Sequence, residues 1–232
     1  MSKQQKLFDS INSNKEHIKS LQDLIEYHQY LYFNSQPEIS DGDFDKLWDE
    51  LKQLDPNNEV FSKVGLDYDV SLNKIRHVIP MNSQEKVASS EEFLKWARKM
   101  EHPEFIVQYK LDGISVELQY TKGKFEHGVT RGNGTIGDDI TNNVRKMRAF
   151  VPQVNSDFSG AVRGEIVLTK DIFQQKYPEM KNCRNTASGI AKRRDGKGDE
   201  DLTIISYDDI NKNPNAPFKN ELNKLKWLET YN

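Results

Sequence analysis

The spacing of apolar residues changes once along this chain, and that change restricts it to a helical unit followed by a sheet-rich one. Over residues 15–33 apolar groups recur at Ile18, Leu21, Leu24, Ile25 and Tyr32, the three-and-four spacing of one helix face. Asn34-Ser35-Gln36-Pro37 ends that helix. Ser40, followed three positions later by Asp43, has the form of a capping box. The helix it opens runs through Phe44, Leu47, Trp48 and Leu51 and stops near Asp55-Pro56. Residues 57–74 are polar and irregular, which predicts a linker.

Beyond Ile75 the period shortens. A helix is expected over 90–100, with Phe93, Trp96, Ala97 and Met100 on one face. Strand signals then follow at 105–109, 115–120, 124–129, 160–168 and 203–207. Thr121-Lys122-Gly123-Lys124 is short enough to make two of them an antiparallel hairpin. Helices are expected over 170–177, capped by Thr169, over 185–193, and around Leu222, Leu225 and Leu228. The fold class is α+β: a small helical N-terminal domain with its linker at 1–74, then a mostly antiparallel sheet domain with flanking helices at 75–232.

Composition narrows the setting. Nowhere do about 20 apolar residues run together, the length a membrane span needs. The opening residues lack the apolar core of a secretory signal. Cys183 is the lone cysteine, so an internal disulfide and a multi-cysteine zinc site are both excluded, and a reducing cytoplasmic setting is expected. The net charge of −3 gives no global attraction to nucleic acid, so any such binding rests on local basic surface. Lys181, Arg184, Lys192, Arg193, Arg194 and Lys197 supply one cluster, for which, taken alone, a solvated helix face is the favoured reading.

Lys110-Leu111-Asp112-Gly113 closes the expected strand at 105–109. Residues two apart on a strand share a face, so a lysine and a carboxylate project together, beside a glycine that permits close backbone approach. A lysine becomes a nucleophile when desolvation or neighbouring cations favour its neutral form. Downstream, Arg131-Gly132-Asn133-Gly134 lies in a polar run that can cradle a phosphate or form a hairpin tip. Arg163-Gly164-Glu165 brings a carboxylate to a strand end, where a surface charge is the plain alternative. Arg184 stands at a helix start, where the dipole disfavours a cation, and so points to an anionic ligand.

Lys110–Val116 by number 110–116, the run 128–145, Val162-Arg163-Gly164-Glu165 and Arg184-Asn185-Thr186-Ala187-Ser188-Gly189 stand in an order and spacing that resemble the NAD-dependent DNA ligases. Tyr30-Leu31-Tyr32 with Pro37-Glu38-Ile39-Ser40-Asp41-Gly42-Asp43-Phe44-Asp45 is similar to the NMN-binding head of that family, and Ile75-Arg76-His77-Val78-Ile79-Pro80-Met81 to the segment entering its nucleotidyltransferase core. The resemblance covers nearly the whole chain. It implies an ATP-grasp-like ligase fold for the second domain and adenylylation of Lys110 by NAD with release of NMN. The AMP would then pass to the 5′-phosphate of nicked double-stranded DNA, where the 3′-hydroxyl displaces it. By the same resemblance Asp112 and Glu165 contact the nucleoside or help place Mg²⁺, Arg131, Arg184 and Lys192 hold phosphates, Gln108 faces adenine, and Tyr32, Asp41 and Asp45 clasp the NMN half.

Departures from the family pattern are local. Gln108 stands for a glutamate, Phe33 and Phe44 for a histidine and a tyrosine, Asn133 for an aspartate and Lys192 for an arginine. The family continues with two lysine-bearing strands, an OB domain, a four-cysteine zinc module and helix-hairpin-helix repeats that have no counterpart in this sequence. An excised fragment or a subunit completed by a partner chain is therefore expected, and phage genomes are one source of such variants. Two other readings carry the same motifs: an ATP-dependent RNA ligase-like nucleotidyltransferase, which lacks the NMN head, and a non-catalytic nucleotide-binding subunit of a ligase complex.

Overall fold

Lys122 and Gly123 have φ of 50° and 75°, and this left-handed pair closes the tightest turn in the sheet. In the computed structural model the described residues are 3–34, 38–61, 72–82, 86–100, 104–211, 218 and 220–230, the side chains of 3–13, 33, 34 and 41 excepted. Most of the expected linker and the Asp41 side chain thus lie outside the described residues. The chain divides into two units, one of Met1–Tyr68 with Gly132–Gly134 and one of Asp69–Arg131 with Thr135–Asn232.

In the first unit, α1 (Lys3–Asn34) pairs with α2 (Asp41–Leu54). Ser40 caps α2 by accepting from the Asp43 amide, as the sequence predicts. Leu21 and Ile25 of α1, Leu51 of α2 and Val60 of a following 3₁₀ turn make a small buried core. Phe44 packs against that core, its ring centroid 6.0 Å from that of Trp48. Leu24 lies outside the buried set, 41% exposed. No helix among the described residues is long and apolar enough to cross a membrane.

The second unit opens with β1 (Lys74–Arg76) and α3 (Ser90–Lys99), capped by Ser89. Its main sheet holds β2 (Ile114–Thr121), β3 (Lys124–Thr130), β5 (Gly160–Val167) and β6 (Thr203–Asn211) in the antiparallel order β3-β2-β5-β6. Short β4 (Ile136–Asp138) pairs with β1, a ribbon that the sequence does not announce. The turn α4 (Thr141–Val144) precedes β5, and α5 (Lys170–Lys176), α6 (Cys183–Ala191) and α7 (Glu221–Glu229) follow it.

The strands alternate, and the alternation decides where the site forms. Ile114, Val116, Leu118 and Tyr120 of β2, Val162 and Ile166 of β5 and Ile204 of β6 enter one buried core with Ala187 and Ile190 of α6 and Leu228 of α7. Ser115, Glu117 and Gln119 of β2, and Arg163 and Glu165 of β5, are left on the opposite, polar face.

One expectation is corrected. Residues 104–112, which include the expected strand 105–109, have no ladder partner among the described residues and adopt no regular structure. Phe105 packs on Phe93 and Trp96 of α3, but Val107 and Tyr109 are 92% and 96% exposed. Alternation supplies strand propensity, whereas a strand also needs a neighbour to accept its hydrogen bonds.

Candidate active site

Gly113 carries the chain from this extended stretch into β2, and it does so against the backbone of β5. A Cβ at this position would lie 2.1 Å from the Ile166 carbonyl oxygen and 3.0 Å from Glu165 Cγ. Only glycine allows that approach. The close packing sets Ser115 opposite Glu165 in the ladder, and Ser115 Oγ donates to Glu165 Oε2 at 3.0 Å.

Glu165 is buried, with 8% of its surface exposed. Burial pushes its carboxyl above the ordinary glutamate value, and the Ser115 hydroxyl, the charges of Arg184 and Lys110 and the Gly113 amide offset this only in part. Arg131 is half-buried beside Tyr207, Glu165 and Arg184, and its burial draws the guanidinium below the usual arginine value. Its amide donates to the Ser115 carbonyl at 3.1 Å, and its Nε to the Met81 carbonyl at 3.2 Å. Arg184, in the first turn of α6, pairs with Asp112 at 3.3 Å. The Asn182 side chain caps that helix by accepting from the Asn185 amide at 2.7 Å. Three cations, Lys110, Arg131 and Arg184, thus surround the buried carboxylate of Glu165. This is an arrangement suited to a polyanion and to charge developing on phosphorus.

Lys110, like Gln108, is exposed on the stretch that leads to Gly113. Lys192 Nζ lies 3.4 Å from Asp138 Oδ2, and Lys74 pairs with the other oxygen of that fully buried carboxylate. Tyr32 and Asp45 are half-buried on α1 and α2 of the first unit.

Tyr207 is a member of the cluster that sequence reasoning missed. The ladder pairs Gly164 with Ser206 and Arg163 with Asp208, so Tyr207 is the extra residue of a bulge. Its phenol is raised by burial and by Glu165 and contacts Ser115. A bulge has no reliable local signature, so only the aromatic identity could have drawn attention to it.

Gly113→Ala is expected to destabilise this unit by roughly 3 kcal/mol, because the obstructing atom is backbone and cannot swing away. Gly189→Ala in α6 is the matched control. A Cβ there meets nothing within 4 Å, and alanine is the better helix former by about 1 kcal/mol. Denaturant midpoints should therefore move in opposite directions, and equal midpoints would contradict the packing described.

Comparison with known proteins adds an independent line. A family profile described as the NAD-dependent DNA ligase adenylation domain matches residues 69–232. A second, described as the DNA ligase-like N-terminal NAD+-binding domain, matches residues 11–61. Among curated relatives, the DNA ligase of Treponema pallidum is 45% identical over 225 residues, 91% of this chain and 27% of that protein. The DNA ligase of Treponema denticola is 44% identical over 232 residues, 94% of this chain and 36% of its own length. That of Sorangium cellulosum is 35% identical over 222 residues, covering 84% of this chain and 33% of the relative. The chain thus spans about a third of the length of these relatives.

Proposed function

This chain belongs to the NAD-dependent DNA ligase family, and from that premise we propose that it performs the adenylylation step, forming a lysyl-AMP intermediate from NAD and releasing NMN. The neutral amine of Lys110 attacks the phosphorus of the AMP half. A P–N bond forms, and the P–O bond to the NMN phosphate breaks with its electron pair leaving on NMN; solvent takes the ammonium proton of Lys110 before attack and a second proton from the cationic nitrogen after it. What supports this reading most is the convergence of Lys110, Asp112, Arg131, Glu165 and Arg184 at the end of β2 where Gly113 packs on β5. Arg131 and Arg184 hold the phosphates, and Arg184, tied to Asp112, orients its fork toward them. In the division proposed, residues 1–74 take the NMN half through Tyr32, Asp41 and Asp45, and 75–232 take the AMP half, with Gln108 toward the base and Lys192 as a further phosphate ligand.

Among the described residues no group of three carboxylate, histidine or cysteine side chains could cage a metal ion. That fits Mg²⁺, which is commonly held by one or two carboxylates together with substrate phosphates. Asp112 and Glu165 are the carboxylates that would hold it, and it would screen charge on the phosphates. The AMP is then destined for nicked double-stranded DNA in replication or repair in the cytoplasm. A continuing C-terminal region or second subunit supplies the OB and helix-hairpin-helix domains.

Intact-mass spectrometry after incubation with Mg²⁺ and either NAD or ATP tests the reading. One added AMP is expected from NAD and none from ATP, and Asp45→Ala should lower the NAD-dependent yield at least tenfold. Labelling from ATP that ignores Asp45 would favour the RNA ligase-like alternative. NAD binding without labelling, even with the C-terminal region of a relative added, would favour a non-catalytic subunit.

A further inference from the structure

The polar face of β2 continues past Ser115 to Glu117, whose side chain is fully buried. Its Oε1 accepts from the Val78 amide at 2.8 Å and from Gln119 Nε2 at 3.0 Å. Its Oε2 lies 3.3 Å from Arg163 Nε and 3.2 Å from Arg163 Nη2. His77, also buried, places Nδ1 3.3 Å from Oε1. Burial would raise this carboxyl, but the contacts from His77, the Val78 amide and Gln119 outweigh it and hold Glu117 below the ordinary glutamate value. A carboxylate with so many donors is an anchor, and the segment it anchors is the backbone of residues 76–81.

The partners of Glu117 grip that segment in turn. Gln119 Nε2 donates to the Arg76 carbonyl at 2.9 Å, and Arg163 Nη2 donates to the Ile79 carbonyl. The segment meets Arg131 in two places, at His77 and at Met81. His77 Nε2 lies 3.0 Å from the Arg131 carbonyl, and the Met81 carbonyl accepts from Arg131 Nε at 3.2 Å. The His77 amide also donates to the Thr135 carbonyl at 3.0 Å, just beyond the glycine-rich turn.

We propose that Glu117 is a positioning residue for Arg131: it straps residues 76–81 across the sheet, and the strap fixes Arg131 by both its carbonyl and its guanidinium. The inference rests on Arg131 being a phosphate ligand for NAD, as proposed above. A guanidinium clamped at Nε keeps its terminal nitrogens in one plane for a bidentate contact, so ordering is complete before the substrate arrives. Glu117 touches no substrate and acts only through this relay. Glutamine cannot replace it, because its NH₂ would face donors already aimed at the carboxylate.

Two measurements test the relay. In ¹⁵N-labelled protein the Arg131 Nε–H resonance, identified by its loss in Arg131→Lys, should exchange with solvent at least tenfold faster in Glu117→Gln. In single-turnover transfer of AMP from NAD, Glu117→Gln should slow the chain about tenfold, but less than twofold in an Arg131→Ala background. An unchanged Arg131 resonance in folded Glu117→Gln, or additive losses of rate, would overturn the proposal. Should Glu117→Gln fail to fold, Glu117→Leu with Arg163→Met removes the buried charge and its partner together and is held to the same two outcomes. If the wild-type chain takes no AMP from NAD, the adenylylation reading fails, whereas the resonance still decides whether Glu117 positions Arg131.

Discussion

Lys110→Ala is expected to abolish transfer of AMP from NAD to the chain, leaving the intact mass unshifted under conditions that fully label the wild type. No neighbour can substitute. Arg131 and Arg184 are guanidinium groups that stay protonated and have no lone pair to offer. Lys192 has its ammonium on the buried carboxylate of Asp138. The expected loss is one of chemistry and not of folding, since Lys110 is exposed on a stretch with no ladder partner among the described residues, where substitutions usually shift stability by about 0.5 kcal/mol or less. Lys110→Arg sharpens the test by restoring the cation without the nucleophile. It should bind NAD within about threefold of wild type and still form no adduct. In the labelled wild type the modified residue should map to the peptide containing Tyr109 and Lys110, through a P–N bond labile to acid and resistant to base. Labelling that persists in Lys110→Ala would assign the nucleophile elsewhere.

Much of the architecture is legible in the residues because it is local. The period of Ile18, Leu21 and Ile25, the Ser40 cap and the Lys122-Gly123 turn each specify a conformation through neighbours a few positions away. What was hidden depends on partners distant in sequence. The run 105–109 has the composition of a strand, yet nothing within it reveals whether a neighbour exists to pair with it. Glu117 occupies a polar position in an alternating strand, which ordinarily means solvent, and only the fold lays residues 76–81 over it. The same reasoning separates Arg184 from Lys192. Both belong to the basic cluster legible in sequence, but the first reaches Asp112 near the candidate nucleophile and the second reaches Asp138 beside β1. Tyr207 joins the cluster through a bulge whose register the sequence does not encode locally.

Glu165→Gln is expected to make the protein more stable and the site inactive. Burial raises the folded-state value of this carboxyl above its unfolded one, so as pH rises the unfolded chain sheds the proton first. The contribution to stability is therefore fully present below the unfolded value, near pH 4, and is lost as pH rises through the raised folded value. Once ionised, Glu165 is a standing penalty, tolerated because Ser115 and Gly113 donate to it and Lys110 and Arg184 lie beside it. Glutamine keeps the shape and removes the charge. Its melting temperature should exceed that of the wild type at pH 7, and the gain should shrink toward zero near pH 4. Adduct formation should fall roughly 10²–10³-fold, since a charge set among three cations no longer balances them when phosphate arrives. Calorimetric melting across pH and single-turnover labelling of the same preparations check both halves. A variant that melts lower at pH 7 than the wild type would mean that the carboxylate stabilises the fold, and a variant that labels at the wild-type rate would remove Glu165 from the site.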